Sequence, residues 1–133
     1  METERISEDV RGAGGLPAVA ADPDALVRTY VRPGDHLHLA MTLGRPNALT
    51  YALARSFGRS AAFTVSVAAV HSAAHALALS GSVRHMITCF LGDTYPSPRP
   101  NPIYRKLARG EPFTAELWSL LSHTQRLVAG AMG

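Results

Sequence analysis

Residues Val31–Gly58 read VRPGDHLHLAMTLGRPNALTYALARSFG, and this stretch decides the fold. The RPGD segment is a chain breaker. After it His36, Leu37, His38 and Leu39 alternate polar and apolar side chains, the period of a half-buried strand. A turn at Gly44-Arg45-Pro46 follows. PNALTYALARSF then repeats at helical spacing, with Leu49, Leu53 and Phe57 on one face and Gly58 as the stop. Strand, turn and helix in this order make half of a strand-helix-strand unit.

Working outward, the same alternation continues. Upstream, DPDALVRTYV offers Asp22 as an N-cap, Pro23 at the first helical position, and Leu26, Val27 and Tyr30 on one helical face. Residues 1–21, METERISEDVRGAGGLPAVAA, are Gly/Ala-rich and aperiodic and read as a flexible lead-in, which leaves 22–133 as the ordered domain. Downstream, AAFTVSVAAV is apolar on both faces, as buried parallel strands are. HSAAHALALSG reads as an Ala-rich helix closed by Gly81, and VRHMITCFLG as a third strand. Four prolines in DTYPSPRPNPIY force an extended loop. Ile103 to Arg109 adds a helical turn, and a last helix is expected from about Leu117 to Val128. The fold class is therefore α/β, a mainly parallel sheet with helices on both faces.

Composition bounds the function. A chain of 133 residues is one domain. Hydrophobic residues make up 47% and charged residues 17%, and no apolar run approaches the roughly 20 residues that span a bilayer. So lightly charged a surface predicts that another chain covers part of it. The net charge is +3, carried mostly by Arg scattered singly from Arg5 to Arg126. Nucleic acid calls for a clustered basic face, so it is not an expected partner. The single Cys89 excludes an internal disulfide and a cysteine metal cluster. No signal-peptide pattern opens the chain, which predicts a cytoplasmic location.

In an open α/β sheet, ligands sit beyond the carboxyl ends of the strands. The loop Met41, Thr42, Leu43, Gly44, Arg45, Pro46 occupies that place after the first strand, and His71 occupies it after the second. The loop residues either merely shape a turn or line a site. His71 and His75 have the spacing to share a metal, but no third ligand is evident and no metal site is expected. His75 reads as packed or solvated, and His36 and His38 as facing a partner or solvent. Cys89, with His85 as its nearest basic neighbour in sequence, reads as an inert thiol. Asp93, Glu111 and Glu116 lie near loops, and none pairs with another by spacing. A complete catalytic set is missing.

Taken in order, VRPGDHLHLA, GRPNALTYALAR, SGSVRHMITCFLGD and ELWSLLSHTQRLVAGAMG resemble successive motifs of the α-subunit of family I CoA transferases, the glutaconate and 3-oxoacid type. The resemblance runs from Pro23 to Gly133. It implies a CoA-transferase-like domain, apparently lacking the C-terminal part of the family domain. It also implies a β-type partner subunit whose glutamate takes the acyl group's place on CoA in a glutamyl-CoA thioester. The substrates implied are an acyl-CoA and a carboxylic acid. Coenzyme A then enters as a thioester substrate, with no permanently bound cofactor. Met41–Pro46 and His71 would wall the acyl and CoA pocket, and the catalytic nucleophile would lie on the partner. Two other roles fit the same fold: a CoA-thioester or C–C bond hydrolase, and a non-catalytic binding or scaffold subunit. The sequence carries Ala40-Met41 where many relatives carry Gly-Gly.

Overall fold

The computed structural model of the chain describes residues 22–40, 45–92 and 101–133. Its elements run α1 (Pro23–Tyr30), β1 (His36–Leu39), α2 (Asn47–Ser56), β2 (Phe63–Val70), α3 (Ala73–Leu79), β3 (Val83–Leu91), β4 (Thr114–Leu117) and α4 (Leu120–Met132). Short 3-10 turns lie at Arg59–Ala61, Pro102–Tyr104 and Leu107–Arg109. The strands form one sheet in the order β1-β2-β3-β4, and every neighbouring pair is parallel. Parallel neighbours require crossover segments, and here α2 and α3 supply the first two.

Local chemistry starts the first elements where expected. The Asp22 carboxylate accepts a hydrogen bond from the Asp24 N–H at 2.9 Å, capping α1 behind Pro23. In the RPGD turn the Arg32 N–H donates to Asp35 at 2.8 Å, and Gly34 takes φ +88°, a value that favours glycine. At the far end of α2, Phe57 meets Phe63 edge-on at 5.0 Å, tying the helix end to the start of β2.

Strand parity then divides the sheet into two unlike faces. Leu39 is paired in register with Val67, and both point into the core with Phe63, Val65 and Met86. That face is covered by α1, α2 and α3 through Val27, Ala52, Leu53, Leu77 and Ala78, all buried. His38, one position earlier, is paired with Ser66, which is paired with Ile87, so these belong to the opposite face. There α4 lies across the sheet, and His123 is its one buried residue. Leu120, Leu121, Val128 and Met132 of α4 stay more than half exposed.

The C-terminal region corrects the sequence reading. Thr114–Leu117 is a strand paired with β3 from His85↔Thr114 to Thr88↔Leu117. The final helix therefore starts at Leu120, not near Leu117, and runs to Met132, past Val128. TAEL has weak strand propensity and merges by composition with the helical residues after it. Pairing to a preformed neighbour overrides that preference. The helix start is set by Ser119, whose hydroxyl accepts from the Ser122 N–H at 3.0 Å. The lead-in, residues 1–21, and most of the proline-rich loop, residues 93–100, lie outside the described residues.

Candidate functional site

The carboxyl ends of β1 and β2 meet at a compact polar turn. Proline fixes φ at Pro46 to −79°, and with ψ 56° the Asn47 N–H reaches back to the Arg45 carbonyl at 2.8 Å. This is an inverse γ-turn. Thr50, buried in α2, locks it by donating both its N–H and its hydroxyl to the Pro46 carbonyl, at 2.9 and 3.0 Å. The turn sends the Arg45 side chain across the end of β2.

There it meets His71. Arg45 Nη1 lies 2.8 Å from His71 Nδ1, and Nη2 lies 2.8 Å from Nε2. A guanidinium only donates, and a neutral imidazole has one acceptor nitrogen. One contact is therefore a hydrogen bond, and the other is the close approach of two flat groups. Burial, then the Arg45 charge, then His75 hold the His71 pKa below its ordinary value, which keeps the ring neutral. Ser72 follows at φ 53° and ψ −126°, a backbone that costs a non-glycine residue free energy. Its hydroxyl lies 3.4 Å from Arg45 Nη1 and 3.2 Å from His71 Nδ1.

The cavity beside these groups, bounded by Leu39, Pro46, Thr50 and Val67, measures about 20 Å³. That is room for one water. A carboxylate or thioester must therefore approach Arg45 from outside this cavity. Among the described residues Arg45 is bonded to an imidazole and a hydroxyl and to no carboxylate, so its charge is not neutralised by an ion pair.

The remaining candidates are dispersed. Met41, Thr42, Leu43 and Gly44 lie outside the described residues. His75 donates from Nε2 to the Tyr104 hydroxyl at 2.5 Å, and that hydroxyl donates to the Val70 carbonyl at 3.2 Å. His71 and His75 thus serve different partners. Glu111 pairs with Lys106 at 3.3 Å. Glu116 accepts from Trp118 Nε1 at 2.9 Å, Arg126 Nη1 at 3.1 Å and His85 Nε2 at 3.1 Å. These bonds, Trp118 first, hold its pKa below the usual carboxylate range. Asp93 lies outside the described residues. Cys89 is half-buried, and burial pushes its thiol pKa up, as an unreactive thiol requires. Its basic neighbour in space is not His85 but His123, whose Nδ1 lies 3.2 Å from Sγ. No local sequence signal announces that contact, because it spans 34 residues and depends on where α4 docks.

A parallel sheet whose strand-end turns bring a guanidinium, an imidazole and a hydroxyl together has the architecture of an α/β ligand-binding domain. A family model described as Coenzyme A transferase matches residues 20–133, and the chain belongs to that family. No curated protein and no solved structure matches it. Family membership supports a CoA-transferase-like function. Among the described residues no three His, Cys, Asp or Glu side chains are grouped to hold a metal, and no helix is long and apolar enough to cross a membrane.

Proposed function

We propose that the chain is the α-type subunit of a two-subunit enzyme that exchanges CoA between an acyl-CoA and a carboxylic acid. The observation that carries this reading is the Arg45 guanidinium, held against neutral His71 at the strand ends and bonded to no carboxylate among the described residues. A planar fork of donors suits a substrate carboxylate, which it binds in a bidentate manner. The reacting glutamate belongs to the β-type partner. It attacks the acyl-CoA, the acyl group leaves as its free carboxylate, CoA is held as a glutamyl thioester, and the acceptor carboxylate then takes CoA and frees the glutamate.

Co-expression with a β-type subunit and measurement of CoA exchange between an acyl-CoA and a free acid tests the reading. Exchange activity in a complex of both chains is expected. A complex that assembles and is inert on every acyl-CoA tried overturns it. Water in place of the acceptor acid would make the same site a hydrolase, which release of free CoA without an acceptor would reveal. The Ala40-Met41 pair favours a second, non-catalytic reading, since side chains there hinder close backbone approach to a thioester. Calorimetry separates the two, because a pure scaffold gives no heat with acyl-CoA even in the complex.

A further inference from the structure

We propose that the cleft between α4 and the open face of the sheet binds a short aliphatic carboxylate, at a site separate from the Arg45 turn. The cleft measures about 730 Å³, within the range of small-molecule sites and far larger than the cavity at Arg45. Strand parity puts it on the other side of the sheet: His38 and Ser66 form its floor, whereas Leu39 and Val67 border the Arg45 cavity.

The lining is one-sided in charge. His36, His38, Ser66, His123 and Arg126 face the cleft, and among the described residues no carboxylate lines it. Two of the polar groups are deeply buried, Ser66 and His123 at 4% exposure each. The Ser66 hydroxyl is bonded to His38 Nδ1 at 3.0 Å. His123 turns Nδ1 to the Cys89 sulfur, and its Nε2 is buried with no hydrogen-bond partner among the described residues. An unpaired buried imidazole nitrogen is costly, so it points to a missing partner. Cys89 Sγ also lies 3.6 Å from the Ser119 carbonyl, and in the His123 tautomer whose Nδ1 accepts, Nε2 carries the hydrogen that a carboxylate oxygen would accept.

Access and fit follow from the neighbours. His38, exposed on its strand and bonded to Ser66, packs edge-on against His123 with ring centroids 5.9 Å apart, and both rings line the cleft. Arg126 bonds Glu116 through Nη1 and stacks over Trp118 at 5.0 Å, and the other donors of its guanidinium remain for a second carboxylate. Ile87 and Leu127 supply an apolar wall for an aliphatic chain.

The test is a titration of the full chain with sodium hexanoate, read by the imidazole nitrogen signals of its six histidines. His38 and His123 should shift together on one saturating curve. Arg126→Gln and Leu127→Asp should each weaken the apparent Kd by about tenfold or more, and Arg45→Gln should leave it unchanged. The proposal fails if the signals move without saturating, if only His71 and His75 respond, if hexylammonium shifts His38 and His123 as strongly, or if both cleft variants bind like the native chain. It stands apart from the transferase reading, because an inert two-subunit complex would leave this titration unchanged.

Discussion

The two faces of the sheet obey different rules. On one, three helices bury the strand residues Leu39, Phe63, Val65, Val67 and Met86 in one apolar cluster. On the other, one helix rests through one buried histidine over a floor of imidazoles and hydroxyls. The first face holds the fold together by area removed from water, which is insensitive to pH and geometry. The second depends on a few directional contacts. Stability thus concentrates on one side, and titratable chemistry on the other.

The comparison breaks most visibly if its two sides respond alike to truncation. Phe63→Ala, in the buried core, should cost about 3–5 kcal/mol by urea unfolding. His36→Ala, at an exposed position on the polar face, should fall within about 0.5 kcal/mol of the native chain. Equal losses would mean that the polar face carries as much of the fold as the apolar one.

At the strand ends between the faces, Arg45→Lys in an active complex should lower kcat/KM for a dicarboxylate-derived substrate by roughly ten- to a hundredfold, about 1.4–2.8 kcal/mol, with assembly unchanged. Loss of assembly would instead assign Arg45 to the interface. A smaller effect sharpens the picture of α4. His123→Ala removes the helix's sole buried contact, and Cys89 should then react with a disulfide reagent about tenfold faster, as local opening becomes easier. An unchanged rate would show that other contacts hold the helix.

The smallest expected effect is a pH dependence. Burial first, then His123 and His36, lower the pKa of His38, and burial, Arg45 and His75 lower that of His71. The unfolded chain therefore takes up these protons at higher pH than the folded one. The stability linked to them is full above the ordinary histidine value of about 6.5 and declines as pH falls through it toward the lowered folded values. His38→Asn should flatten that decline, and a profile unchanged by the substitution would remove His38 as a cause.

How much of this could be read from the chain depends on range. β1 to β3 and the helices between them follow from periodicities within single segments, because a buried parallel strand and an amphipathic helix each need a recognisable pattern. β4 did not show, since Thr114–Leu117 becomes a strand only by borrowing the edge of β3. Arg45 and His71 were each visible as strand-end residues, yet their contact across 26 positions exists only once β1 and β2 lie side by side. His123 carried no signal at all, because nothing in LLSHTQRL distinguishes a solvated histidine from one pressed against Cys89.

The strand order has a consequence for how the molecule comes into being. Each strand pairs with the one made just before it, and none must be inserted between two already joined. A chain emerging from the ribosome can therefore add one strand-helix unit at a time to a growing edge, without holding an unpaired gap open for a partner not yet synthesised. The long parallel crossovers still make each addition slow. Amide exchange should record this order of assembly, with the deepest protection at the β2–β3 junction and the weakest at β4, the last strand added.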